Sequence, residues 1–419
     1  MSNPVAGKQY TVQPGDTLSS IAKRVYGDAN EWPKIWKANQ SGFKSSSPDT
    51  VYPGEKINIP DDLKLKDIEA HQDVLQQKEP DEITVEIDGI VITPHSAKIM
   101  RTMDTAADGA TVSISWTPGV DPTLDKSLLP YSYSKAIVSI GNGPVVTGCI
   151  YSVSPSMSNS GMVKNLEIWS TTADIIDSTM RPPYEANNIT LQQRAESILS
   201  AMGLSSVVDD GVDMGGAFSR VTAEPTDTIF EHLSKLASQR GILISSTPDG
   251  KLLFTKAKTT GQPVGTLEET QPMPIGWAAT YDGRQRFNAY RAIGQSSDWK
   301  SKSAIAKDDN VPRSRFLTFT ADDTTAGDIK KAAEWKRSKQ LAEALTMPFP
   351  VSGWLAPNGT VWKENTLVTV ISKVIHVPNG FTFLIKSVEF ELGSDGKTAT
   401  LNLVPPQVYT GEPIEDFWQ

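Results

Sequence analysis

One cysteine in 419 residues, Cys149, leaves this chain no intrachain disulfide and no thiolate cage for zinc. Lying in an apolar run, it reads as a small buried apolar side chain. The four histidines, His71, His95, His232 and His376, are scattered and never reach the i, i+4 spacing of a helical metal pair. No apolar stretch approaches the roughly 18 residues that a bilayer-crossing helix needs. Met1 to Gly7 shows no basic segment leading into an apolar one, so synthesis and assembly in the cytoplasm are expected. Positive charge is in deficit, 40 Lys and Arg against 49 Asp and Glu, with a pI near 5.1. That balance opposes a sequence-independent nucleic-acid grip, which needs a basic surface. The Gly-x-Ser-x-Gly elbow and the glycine-rich phosphate loops are missing as well.

What is present is an ordinary globular composition, 38% hydrophobic and 21% charged, in a chain too long for a single core. A multidomain, mainly β architecture with α+β parts follows from the patterns along it.

Residues 1–60 read as a small βααβ domain. Tyr10 and Val12 alternate on a first strand, then Asp16 and Thr17 cap a helix whose stripe is Leu18, Ile21, Ala22 and Val25. Trp32, Ile35 and Trp36 mark a second helix, and the two tryptophans are expected to supply a disproportionate share of so small a core. Residues 61–82 turn to alternating charge and read as a linker.

From Ile83 the apolar period becomes two, giving a first antiparallel β domain over 83–178 in which Gly141-Asn142-Gly143-Pro144 is a hairpin turn. Two glycine-terminated helices, Leu191 to Met202 and Thr228 to Gln239, and a hairpin around Thr247-Pro248-Asp249-Gly250 make a small α+β domain over 179–265. A second β domain over 266–410 is interrupted by a polar stretch from Ser296 to Arg315. It contains a long helix near Asp328 to Leu345, and it turns at Gly393-Ser394-Asp395-Gly396. Residues 411–419 form an acidic, aromatic tail.

Two sets of motifs carry resemblances. Tyr10-Thr11-Val12-Gln13-Pro14-Gly15-Asp16-Thr17-Leu18 with Ile21-Ala22, Tyr52-Pro53-Gly54-Glu55 and Ile57-Asn58-Ile59-Pro60 resembles a LysM domain. That resemblance implies a shallow groove for peptidoglycan or chitin glycan, built here by Gly15, Asp16, Thr17 and Leu18 on one side and Asn39, Pro48 and Asp49 on the other. Tyr26-Gly27-Asp28 through Trp32, Ile35, Trp36 and Asn39 is similar to a variant found in phage tail proteins, where the groove serves assembly instead.

The second set is Arg286 to Gln295, Val351-Ser352-Gly353-Trp354, Gly359-Thr360-Val361-Trp362, Phe383 to Phe390 and Leu401 to Pro406. These resemble the Mu-type baseplate hub family of contractile phage tails. The resemblance implies two related, antiparallel, barrel-like hub domains flanking the α+β domain. It also implies a homotrimer whose pseudo-sixfold ring joins the tail tube protein to the central spike protein around a lumen for ejected cargo. Residence in the virion baseplate, with other baseplate (wedge) proteins as neighbours of the LysM module, belongs to the same expectation.

No catalytic constellation accompanies these motifs, and neither a cofactor nor a metal is expected. Acidic residues are too plentiful for sequence to exclude the pair of carboxylates a glycosidase needs. A LysM-targeted peptidoglycan hydrolase, or a wall-binding protein, is therefore the alternative. Trp354 and Trp362 read as core or subunit-interface packing before a sugar platform. Phe417 and Trp418, set in the acidic tail, are expected to dock on a neighbouring baseplate protein.

Overall fold

A computed structural model describes residues 4, 8–39, 43–45, 47–48, 50–60, 81–159, 161–270, 275–294, 303–321, 329–394, 396–409 and 417. The chain divides into two units, residues 1–79 and 80–419. Residues 61–80 of the expected linker over 61–82, with His71, Asp49 and Trp418, lie outside the described residues.

In the first unit, β1 (Gln9–Thr11) pairs antiparallel with β2 (Lys56–Asn58), Tyr10 opposite Ile57. Between them lie α1 (Leu18–Tyr26) and α2 (Trp32–Asn39). Helix α1 starts where Thr17 and Ser20 exchange side-chain to backbone bonds, and it stops at Gly27, whose φ of 81° only glycine adopts readily. Its Leu18, Ile21 and Ala22 meet Tyr10, Val12, Ile35, Ile57 and Ile59 in the core. The tryptophans do not fill that core as expected. Trp32 and Trp36 are half-buried at its margin, Trp36 stacked on Phe43 at 4.8 Å, because branched isoleucines fit the narrow space between two short helices and two short strands.

The second unit is organised by repetition. Its first β domain has β3 (Ile83–Ile87), β4 (Ile90–Ile92), β5 (Ser96–Thr102), β6 (Gly109–Ser115), α3 (Pro122–Ser127), β7 (Lys135–Ile140), β8 (Gly143–Ser158), β9 (Gly161–Ser170) and α4 (Asp174–Asp177). The α+β domain has β10 (Glu185–Ile189), α5 (Leu191–Leu199), β11 (Ser206–Val208), β12 (Phe218–Thr222), α6 (Ile229–Ser238), β13 (Leu243–Ser246) and β14 (Leu252–Thr255). Both helices open on a capping box, Thr190 with Gln193 and Thr228 with Glu231, and bury Leu191, Leu199, Ile229 and Leu233 against β13 and β14.

The second β domain follows with β15 (Thr266–Glu268), β16 (Thr280–Tyr281), β17 (Ala289–Gly294), β18 (Ser303–Lys307), β19 (Phe316–Ala321), α7 (Ile329–Glu343), β20 (Leu345–Thr346), β21 (Pro348–Ser352), β22 (Leu367–Ser372), β23 (Val377–Gly393) and β24 (Gly396–Val404). Strands β18, β17 and β19 form their own sheet under α7. The polar stretch from Ser296 to Arg315 thus contains a strand. Its inward residue is Ala306, too small to register as hydrophobic alternation.

The two β domains repeat in register. Strand β8 bulges between Ile150 and Ser152 and turns into β9 with Ser158 opposite Gly161. Strand β23 bulges between Ile385 and Ser387 and turns into β24 with Gly393 opposite Gly396, at the same spacing throughout. Val112 of β6 faces Leu166 of β9 just as Phe349 of β21 faces Leu401 of β24. On the far side of β6, His95 donates its N–H to the Ser113 carbonyl and Met100 faces Gly109. On the far side of β21 and of β20 just before it, Ile275 donates to the Pro350 carbonyl and Thr280 faces Thr346. The segment from Ile275 to β16 is therefore the counterpart of β5.

These domains are not separate sheets. Past its bulge β23 pairs with β24 on one side and β5 on the other, so among the described residues twelve strands run as one sheet through both domains. Trp354 and Trp362, 1% and 2% exposed, sit in the shared core.

Candidate functional site

Two places gather the polar side chains that the fold positions with most constraint. One is the LysM groove, the other the seam between the β domains.

At the groove, Gly15 has φ 89° and open space around it, and Thr17 is exposed apart from its capping bonds. Asp16 faces inward: its Oδ2 accepts from the Tyr10 hydroxyl at 2.7 Å and the Gln13 N–H at 2.8 Å, and Arg24 pairs with the other oxygen. Burial pulls this carboxyl upward, but those three donors outweigh it and hold it below the usual carboxylate range. Leu18 is 2% exposed and belongs to the core. Asn39 is likewise turned in. Its Nδ2 donates to the Ile35 and Asn58 carbonyls at 2.8 and 2.7 Å, and its Oδ1 accepts from the Asn58 N–H at 2.7 Å. Pro48 is half-buried in a turn. Of the residues expected to line the groove, Leu18 and Asn39 build the walls from behind.

Glu55, part of the Tyr52-Pro53-Gly54-Glu55 motif but not among the residues expected to line the groove, has a buried carboxylate that accepts from the Lys44 N–H at 2.9 Å and the Tyr52 N–H at 3.0 Å. It sets the second loop in place. A glutamate following a Pro-Gly turn and preceding a strand was the available signal.

At the seam, Arg101 of β5 is 4% exposed. Its guanidinium donates to the Val145 carbonyl at 2.8 Å and to Glu364 Oε1 at 2.7 Å, and it lies 3.4 Å from Asp108 Oδ2. Asp108 also accepts from the Thr102 N–H at 3.1 Å and the Ser246 hydroxyl, while Ser245 donates to the Thr102 carbonyl at 2.9 Å. Beside Glu364, Asn365 accepts from the Lys258 N–H at 2.8 Å and donates to the Lys256 carbonyl at 2.9 Å. The first β domain, the α+β domain and the second β domain are thereby tied at one buried point. Burial pushes the Asp108 carboxyl up to about 6, with Arg101 opposing the rise.

These groups are arranged to hold backbone rather than to react. The terminal guanidinium nitrogens of Arg101 are held by fixed acceptors, and the Ser246 hydroxyl beside them is itself spent on Asp108. Cys149 is half-buried rather than enclosed, because it falls on the outward phase of β8 between buried Gly148 and Ile150; burial, then Asp174 and Asp88, push its thiol up. His232 is enclosed in α6 and accepts from Arg194 Nε at 3.2 Å. Burial and that guanidinium lower it to about 4, so it is neutral at pH 7. Among the described residues no three His, Cys, Asp or Glu side chains are grouped to hold a metal.

Phe417, expected on a neighbouring protein, is instead buried in this chain's own core. Its ring lies 4.7 Å from Phe381 and 5.1 Å from Phe383. Sequence could not place it, since the acidic residues around it hid an apolar partner more than thirty residues upstream.

Three parts of the chain match known protein families. Residues 172–256 match the model of the second domain of gp44-like baseplate hub proteins, and residues 324–412 match that of the fourth domain of the Mu phage baseplate assembly protein GpP. Residues 10–60 match the LysM domain. The baseplate hub protein gp44 of Escherichia phage Mu is 25% identical over 349 residues, 80% of this chain and 90% of that protein. The potassium binding protein Kbp of Escherichia coli is 51% identical over 57 residues, covering 14% of this chain and 37% of that protein. Among solved structures, the 43 kDa tail protein of prophage MuSo2 from Shewanella oneidensis is 25% identical with a TM-score of 0.68. It covers 78% of this chain and 99% of its own. A tail protein from Neisseria meningitidis shares the fold at 20% identity and the same TM-score, over 79% and 98% of the two chains.

Proposed function

We propose that this chain, which belongs to the Mu-type baseplate hub family and carries a LysM domain at its N-terminus, closes as three copies into a ring joining the sixfold tail tube to the threefold spike. Its role is structural and its place is the tail baseplate of the virion; the ring, the adaptor function and assembly in the host cytoplasm are the proposed part.

The observation that carries the proposal is the repetition of one β domain within a single sheet. A chain with two like domains side by side offers six like surfaces when three copies close, which is what a sixfold tube meets. The same three copies offer three identical surfaces to a spike. Rigidity between the two domains is needed for such closure, and the buried Arg101, Asp108 and Glu364 group supplies it. The LysM groove is given to a baseplate wedge protein, since among the described residues expected to line it Asp16, Leu18 and Asn39 are turned inward and Thr17 is the polar side chain left exposed.

Mass photometry of the purified chain tests the ring, with a trimer expected and a strict monomer at every concentration overturning it. Sedimentation with purified peptidoglycan tests the groove. Saturable binding abolished by altering Gly15 and Thr17 would assign the module to the wall instead.

A further inference from the structure

The internal repeat contains one junction whose counterpart is missing within the chain. Between the two β domains, the end of β23 pairs antiparallel with β5, from Ser387 opposite Thr102 to Leu392 opposite Ala97. In the repeat, the end of β8 stands for the end of β23, and the segment from Ile275 through β16 stands for β5. Those two do not meet in one copy. Among the described residues the end of β8 pairs only with β9, and β16 only with β20.

We propose that this second junction forms between copies: the end of β8 in one chain pairs antiparallel with the Trp277 to Asp282 segment of the next. The register follows from the repeat. Ser152 stands opposite Asp282 of the neighbouring copy, Val153 opposite Tyr281, Ser154 opposite Thr280, Pro155 opposite Ala279 and Met157 opposite Trp277. Three junctions within chains and three between them then close six β domains with one kind of contact, so the inference rests on the trimeric ring proposed above and supplies its interface.

The chemistry of both edges fits a strand partner. Ser154, Pro155, Ser156 and Met157 are exposed, as are Ala278 and Thr280, and Met157 is 77% exposed. Most of these side chains are small, leaving backbone groups open to pairing. Met103 donates to the Lys386 carbonyl at 3.1 Å, which makes Val388, Phe390 and Leu392 the residues turned toward β5. Their counterparts on β8 are Val153, Pro155 and Met157. Pro155 faces the neighbouring strand with no N–H to give, so this register carries one missing ladder bond opposite Ala279 and leaves the Val153 and Met157 amides to make the pairing. The same register sets Tyr151 of one copy opposite Gly283 of the next, at a cleft of about 480 Å³ bordered by Tyr281, Leu341, Leu345 and His376.

Disulfide trapping tests the register in the full-length chain. Ser154 and Thr280 would form a pair not directly hydrogen-bonded, with Cα atoms inside the roughly 4.4–6.8 Å range that a disulfide spans. In a Cys149→Ser background, Ser154→Cys with Thr280→Cys is expected to give a covalent trimer on mild oxidation. Ser154→Cys with Ala279→Cys, whose side chains fall on opposite faces, is expected to give none. Hydrogen exchange on the unaltered trimer should show the Val153 and Met157 amides slowed at least tenfold relative to a dissociated chain. A trimer that neither cross-links at 154 and 280 nor protects those amides overturns this interface and leaves the ring standing. A chain that stays monomeric overturns both.

Discussion

Arg101 and Glu364, 263 residues apart in the chain, meet at 2.7 Å with both side chains almost wholly enclosed. One belongs to the first β domain and the other to the second, so this pair reports directly on whether the two halves of the sheet act as one body. Removing a single partner from a buried ion pair leaves an uncompensated charge, at a cost of about 3–5 kcal/mol. Arg101→Ala and Glu364→Ala are each expected to lower stability by that amount in urea titrations, while Arg101→Met and Glu364→Leu combined with Asp108→Asn, which removes the third charge of the group, should recover most of it. Single variants as stable as the parent would show that the seam is held by the β5 and β23 ladder alone.

The pH dependence of the seam has a definite sign. Burial raises the Asp108 carboxyl from 3.8 to about 6, so the folded chain holds that proton more tightly than the unfolded one. The stabilisation linked to the proton is fully present below the unfolded value and is lost as pH rises through about 6. Denaturation midpoints measured between pH 4 and pH 7 should thus fall more steeply for the parent than for Asp108→Asn, in which this titration is absent. Identical slopes would remove Asp108 from the account.

A tighter steric test lies where β8 crosses β9. A Cβ built on Gly148 would stand 1.7 Å from the Trp169 carbonyl oxygen, a backbone atom that cannot swing away. Nothing lies within 4 Å of a Cβ at Gly143, at the start of the same strand. Gly148→Ala is expected to cost at least about 1–3 kcal/mol through displaced backbone, whereas Gly143→Ala should stay within about 0.5 kcal/mol of the parent. Thermal denaturation of the two variants side by side decides it.

Much of this fold was legible because it is written in local patterns. Glycine after Leu191 to Met202 and after Thr228 to Gln239 ended two helices, and period-two runs divided by Gly141 to Pro144 and Gly393 to Gly396 gave the hairpins. The seam was harder to see because its members are distant in sequence. Arg101 nevertheless left a trace, since it falls on the inward phase of β5 with Ala97 and Ile99, where a charge requires a partner. The LysM residues were placed by likeness to a motif, which locates a loop but not the direction of each side chain. Leu18 and Asn39 turn inward because the core needs the first, and the Asn58 backbone needs the second.

Phe417 separates stability from assembly. Its ring closes an aromatic group with Phe381 and Phe383, and it is 8% exposed without any partner protein. Truncating a buried phenylalanine costs about 3–5 kcal/mol, the upper part of that range applying where the surroundings cannot collapse. Phe381 is half-buried at the edge of the cluster and can shift, so Phe417→Ala is expected near the lower end. The loss should appear in the purified chain by differential scanning calorimetry, before any baseplate protein is added, and Phe417→Leu should restore part of it. If Phe417→Ala melts like the parent yet fails to assemble with the spike, the ring belongs to a docking surface and its burial in this core is incidental.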